Sequence, residues 1–573
     1  MGLTSALGLG QNALSAYQAA LQVTGQNIAN VGTPGYSRNS VHLGTIAGQN
    51  LRIGQVGYGV RVAAIGRAVS ESLNARLRGA GSDRSNATAQ RDGLSRLETI
   101  FDPLGDTNLG SLLSEFFSSV SDLQTNPDSI ASRGIVVNTA TRLTQRIQQI
   151  RTEIINQRAD VNRDIQTSVD TADRIATNIA QLNQQISLAE AGGGVASTLR
   201  DQRDQKLGEL SEILDITVRE QPNGAVNVYV GNESLIQFGE SFGLKSVVVP
   251  GADGLPTVEV RLKLNDGPIT PTSGSIAGLV KTRDVNLKSQ LDRLDTLASS
   301  LINEFNKIHS GGQGLAAFTS LTGESRVLDS TVALNTADNG LGFLPQTGSF
   351  FINVRDAATG QVIATRQINI DLDGIGTDTT LDSLAADITA NVPNVTATVL
   401  GNGKLQLTSD SGYSFTFLDD TSGTLAALGL NTFFTGTGSS DIAVNSIVAG
   451  NSNYFAAARP VDNPTLFTGD GSNVVKMTSL ENLAVASLGG ASLNEYYNSS
   501  MAELAVISSA AKGTEEAAAV IFDSLTVQRE SISGVNLDEE AVNLIQYQRA
   551  YEGAARYMQV VDEMLQTLLG LLR

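Results

Sequence analysis

The chain of 573 residues carries 58 acidic and 39 basic side chains, a net charge of −19, with two histidines and no cysteine or tryptophan. That charge excludes nucleic acid and anionic membrane surfaces as partners, because their phosphates would be repelled. Without cysteine there are no disulfides and no thiolate chemistry, and any triad or His-based metal site would hang on His42 or His309 alone. Both histidines are expected as ordinary surface or loop residues, and no enzyme activity, cofactor or metal is expected.

The chain opens without a single charged side chain before Arg38. It lacks the basic start and continuous apolar core of a secretory signal peptide. No apolar run is long enough to cross a bilayer, so no membrane insertion is expected. On these signals alone the chain would be placed in the cytoplasm. Within this stretch Leu7, Leu14, Leu21 and Ile28 stand seven apart, with Gly10, Tyr17, Thr24 and Val31 as a second row. The spacing predicts a helical seam. Its other face is covered by Gln, Asn and Ser rather than Lys and Glu, as expected for contact with other polypeptides all round.

Between Pro127 and Pro222 there is no proline, and Ile147, Ile150, Ile154, Val161, Ile165 and Val169 recur at helical spacing. This predicts a helix over about 131–190, roughly 90 Å long at 1.5 Å per residue. Three glycines at 192–194 break it, and Ser197–Leu214 resumes helix. Ile216–Val230 carries a Pro222-Asn223-Gly224 turn between alternating segments, a hairpin signal, and Val258–Leu264 alternates likewise. Helix returns over about 275–309.

From Ser325 to Phe455 the twelve acids are all Asp, against four basic residues, for a net charge of 4 − 12 = −8. Asp favours turns where Glu favours helix. Strands are expected around Phe350–Val354, Arg366–Leu372 and Val395–Leu407, the last hinged at Asn402-Gly403, with a short helix over Leu381–Ala390. The carboxylates of Asp371, Asp373 and Asp378 fail the spacing of a calcium loop.

Pro464 is the last proline, and helix resumes by about Ser492, running to about Ser531 and then from about Leu537 to the end. Leu544, Tyr551, Met558, Leu565 and Leu572 form one row; Tyr547, Ala554, Val561 and Leu568 form the other. This a/d seam is sustained over four heptads and needs a partner to cover it. The expected fold class is α+β multidomain. A long terminal α-helical coiled-coil layer takes 1–55 and 533–573. A mostly helical, rod-like domain takes 56–324 and 456–532, with a small β element near 215–265. A β-rich insertion domain takes 325–455.

The stretch Gln26–Arg38, QNIANVGTPGYSR, resembles the N-terminal signature of the axial proteins of the bacterial flagellum. Its matching residues are Asn27, Asn30, Thr33, Pro34, Gly35, Tyr36, Ser37 and Arg38. The stretch GVNLDEEAVNLIQYQRAYEGAARYMQ resembles the C-terminal signature, through Asn536, Leu537, Glu540, Gln548, Arg549 and Ala550. Within that family the wording, the long helices and the length resemble the hook-associated members.

The resemblance implies a structural adaptor at the hook–filament junction, a homo-oligomer in a ring or helical turn. The interface would be Leu7, Leu14, Tyr17, Leu21, Ile28 and Val31 against Leu544, Tyr547, Tyr551, Ala554, Met558, Val561, Leu565 and Leu568. The implied partners are hook protein, the second hook–filament junction protein and a cytoplasmic export chaperone at the C-terminal helix. It further implies an outward-facing insertion domain and an extracellular place on the flagellum. Export would run through the flagellar type III apparatus without a cleaved signal, which reverses the cytoplasmic expectation. A hook or distal-rod protein is the alternative, and an adhesin or enzyme carried on the insertion domain belongs to a different class.

Overall fold

Helix follows wherever the 3.6-residue apolar period is sustained. In the computed structural model, which describes residues 3–51, 54–102, 105, 108–459 and 469–571, the predicted long helix runs Ile130–Glu190, 61 residues. Other long helices run Ser197–Ile213, Leu493–Ser533 and Leu537–Leu571. The helix expected over 275–309 is interrupted: Gly274–Lys281 passes through a π-helical turn at Thr282–Leu287 into Lys288–Ser310. Among the described residues no helix is long and apolar enough to cross a membrane.

Two compact units divide the chain, one from Met1–Gly93, Ala159–Arg283 and Ser509–Arg573, the other from Leu94–Arg158 and Asp284–Ser508. These boundaries differ from the three-part division expected from composition. Compactness depends on which segments touch, and 159–283 and 509–573 group with residues 1–93 rather than with the rest of the helical stretch.

In the first unit the N-terminal helix, Leu3–Ala29, lies against Leu537–Leu571 and against an antiparallel hairpin of Asn39–Thr45 with Val60–Arg67. The β element predicted near 215–265 is two small antiparallel sheets. One orders Ile216–Glu220, Val226–Val230, Glu233–Gln237 and Glu240–Ser241; the other places Pro256–Leu262 between Leu244–Pro250 and Pro268–Ile269.

The second unit contains the predicted insertion. Gly348–Asp356 is the centre strand between Val362–Ile370 and Tyr413–Leu418, with Ile352 opposite Phe417. Leu405–Ser409 pairs with Ser320–Thr322 and Val395–Val399 in a second sheet. Helix Leu381–Asn391 begins in a capping box, Thr380 accepting from the Ser383 N–H. Phe350, Ile352, Val354, Leu384, Ile388, Phe415 and Phe417 close one apolar core.

His309 is a correction to the loop or surface expectation. It ends helix Lys288–Ser310 fully buried, among Phe305, Phe433 and Phe455. Its Nδ1 meets the Asn431 carbonyl at 2.8 Å and its Nε2 accepts from the Ala456 N–H at 3.0 Å. One nitrogen donates and the other accepts, so the ring is neutral, and burial pushes its pKa down to about 4. A Gly-Gly sequence after the helix suggested exposure because local sequence does not record what packs over a turn. His42, by contrast, is exposed.

Candidate functional site: the joint between the two chain ends

The N-terminal helix stops where the Asn30 side chain donates to the Gln26 carbonyl at 2.9 Å, and Gly35 then takes φ +80, a conformation glycine accepts without strain. Thr33 Oγ1 donates to Asn30 Oδ1. The chain folds back so that Asn27 Oδ1 accepts from the Asn39 N–H (3.0 Å) and from the Tyr36 hydroxyl (2.8 Å), while Asn27 Nδ2 donates to the Asn39 carbonyl (2.8 Å). Asn27 is buried, so this pairing supplies hydrogen bonds that water cannot. Burial raises the pKa of the Tyr36 phenol and keeps it a neutral donor.

The second signature closes on the first. The Arg38 N–H donates to the Ser533 carbonyl at 2.8 Å, and the Arg38 guanidinium reaches Glu539 at 2.6 Å. Asn536 caps the C-terminal helix, accepting from the Asp538 N–H at 2.9 Å, and Asp538, Glu539 and Glu540 sit in its first turn, where the helix dipole favours carboxylates. Glu540 is buried there. An open polar cleft lies between the two signature turns, walled by Thr33, Pro34, Tyr36 and Arg38 on one side and Glu530, Asn536 and Glu539 on the other. Leu537, Gln548 and Arg549 are exposed on the C-terminal helix, and Ala550 is half-buried.

Three residues of this joint were not legible in the sequence. The Arg67 guanidinium, 3% exposed, bridges Asp201 and Asp204 at 2.8 Å each, and Asp201 also accepts the Ser37 N–H at 3.2 Å. Burial pushes the Arg67 pKa down, but Asp204 and Asp201 raise it above its ordinary value. The pair is separated by 134 residues, and no local pattern carries such information.

Along the helices, Leu544, Tyr547, Tyr551, Ala554, Met558 and Leu565 are half-buried and Val561 is buried, while Leu568 is exposed. Leu572 lies outside the described residues. Opposite that seam, Val542, Ile545, Val560 and Met564 form a second, exposed apolar stripe. On the N-terminal helix Leu14, Tyr17, Leu21 and Ile28 are half-buried, and Leu7 and Val31 are exposed. The buried residues are Ala16, Ala20, Val23 and Asn27, which lie off the expected rows, together with Thr24 of the expected second row. Gly10 is also buried: a side chain there would collide with Met558.

Comparison with known proteins bears on both ends and the middle. Residues 94–322 match the family described as the Flagellar hook-associated protein FlgK helical domain. Residues 7–36 match the Flagella basal body rod protein family, and 528–571 the Flagellar basal body rod FlgEFG protein C-terminal family. Flagellar hook-associated protein 1 of Salmonella typhimurium is 27% identical over 99% of this chain and all of its own. The protein of that name in Bacillus subtilis is 24% identical over 100% of this chain and 98% of its own. The chain is therefore similar over its whole length to proteins named flagellar hook-associated protein 1.

The flagellar hook junction protein FlgK from Burkholderia pseudomallei shares the fold, with a TM-score of 0.53 at 15% identity, over 80% of this chain and 100% of that one. Both rod-type matches fall on the two signature turns and the helices beside them.

Asp371, Asp373 and Asp378 each place a carboxylate oxygen within 4.8 Å of the others. Asp378 accepts from the Gly374 N–H and Asp373 from the Ile375 N–H, which accounts for the cluster as a turn.

Proposed function

We propose that this chain is a structural adaptor, without enzymatic activity, that joins hook to filament outside the cell, in keeping with the family of hook-associated protein 1. The observation that supports it is the joint: two chain ends locked by signature residues, carrying helices whose apolar residues are only half covered. Leu14, Tyr17, Leu21 and Ile28, with Leu544, Tyr551, Met558 and Leu565, act by packing within a subunit. Leu7, Val31, Leu568 and the stripe of Val542, Ile545, Val560 and Met564 pack between subunits of a ring or helical turn. Further partners are hook protein, the second junction protein and an export chaperone covering the C-terminal helix. The uncharged N-terminal stretch suits export of an unfolded chain through the type III apparatus without signal cleavage. The insertion, 325–455, faces outward.

Deletion of the gene is expected to leave hooks without filaments, and a chain lacking its last 40 or so residues is expected not to restore them. Filaments on hooks of the deletion strain would overturn this reading. Fibres grown from the purified chain alone would favour a hook protein instead.

A further inference from the structure

The tip of one small hairpin is built against local preference. Strands Glu233–Gln237 and Glu240–Ser241 are joined by two residues, Phe238 and Gly239, with φ of +54 and +77. A two-residue turn with both φ positive is the type that favours Asn-Gly. Phenylalanine in the left-handed region is strained. Burial does not offset that strain, because the Phe238 side chain is 81% exposed. Beside it, the Gly239 carbonyl accepts from Gln184, and one helical turn beyond Gln184 stands Leu188, 80% exposed. Glu240, exposed at the same tip, makes no ion pair among the described residues. The tip is an aromatic knob with a carboxylate at its side.

The same unit contains a hole of complementary character. A cavity of about 270 Å³ is walled by Leu77, Phe522, Gly208, Arg78 and Arg529. A cavity of about 150 Å³ holds a benzene ring, so this one accommodates a benzyl side chain. Its two carboxylates are already engaged, Asp204 by Arg67 and Glu212 by Arg84. Arg78 makes no ion pair or hydrogen bond among the described residues, and burial pushes its pKa down. The hole therefore offers apolar walls and, in Arg78, a buried cation that Asp204 and Glu71 balance only at a distance, without a direct ion pair.

We propose that Phe238 of one copy of this chain seats in the cavity beside Leu77, Arg78 and Phe522 of a second copy, with Glu240 facing Arg78. The contact joins two different surfaces, head to tail, which is the kind that propagates around a ring or along a helical turn. It rests on the adaptor reading only for the place where copies meet.

The absence of cysteine makes the test direct. A side chain at Gly208 meets no atom within 4 Å, so cysteine fits there. On oxidised intact flagella, the E240C/G208C variant, which keeps Phe238, is expected to form disulfide-linked multimers that neither single variant forms. No cross-link with the variant present at hook ends would overturn the docking and leave the adaptor role standing. Absence of the unaltered chain from hook ends would overturn the adaptor role; the same cross-link in concentrated purified chain, present or absent, then decides the docking. F238N supplies the residue the turn favours. It is expected to raise the melting temperature of the free chain by about 1–3 °C while filaments shear off more readily. A lowered melting temperature, or unchanged filament retention, would overturn the proposal.

Discussion

The insertion domain and the joint of the chain ends solve the same burial problem in opposite ways. The insertion closes its core with residues from one continuous stretch, Phe318 to Leu430, and the apolar residues it exposes, such as Ile363 and Ile375, are scattered singly. The joint draws on residues from opposite ends of the chain and leaves Val542, Ile545, Val560 and Met564 in water along one helix face. A core closed locally is stable by itself. A pair of helices covered on one side has little burial to offset the entropy of ordering them. The lesson is that one part of the chain closes over its own apolar surface while another leaves part of its apolar surface uncovered.

The largest effect expected is on the insertion. Phe417→Ala empties a fully buried site and is expected to lower that domain's unfolding free energy by about 3–5 kcal/mol. Hydrogen exchange at the terminal helices should not change; if it does, the two regions are not independent. At the joint, Arg67→Met leaves Asp201 and Asp204 without their buried partner, at a cost of roughly 3–5 kcal/mol. That variant should melt early around the signatures while the insertion keeps its near-ultraviolet circular dichroism.

Acid separates the units further. His309 has an ordinary pKa of 6.5 when unfolded and about 4 when folded, so the unfolded chain takes up the proton first as pH falls. Its contribution is complete above pH 6.5 and is lost on descent toward pH 4. The loss is about 3 kcal/mol, read as a falling urea midpoint for the second unit that His309→Gln flattens. The smallest effect, about 1–3 kcal/mol, is expected for Gly10→Val, which forces Met558 aside. It should reduce protection of the terminal helices only, and filament attachment more than monomer stability.

Local period and composition were informative wherever a segment's own residues decide its state. The 61-residue helix, the short helix beginning at Leu381, the Glu-free strand-and-turn insertion and the heptad rows from Leu544 to Leu565 all fall in this class. The N-terminal helix was legible as a helix but not in its rotation. An uncharged segment has no solvated face, so nothing in it distinguishes Leu14 and Leu21 from Ala16 and Ala20. The tight turn at Phe238 was equally silent, because exposure of an aromatic is decided by what fails to pack on it.

What the amino-acid order determined by itself is therefore the longest helices, the strand-and-turn insertion, the signatures and the seam of the C-terminal helix. Each depends on spacings of two to seven residues, which a chain carries whether folded or not. Only the tertiary structure decided that Arg67 lies between Asp201 and Asp204, that His309 is buried and neutral, and which face of the N-terminal helix is covered. Those facts belong to residues separated by more than a hundred positions, or to an interior whose low dielectric exists only once the chain has closed around it.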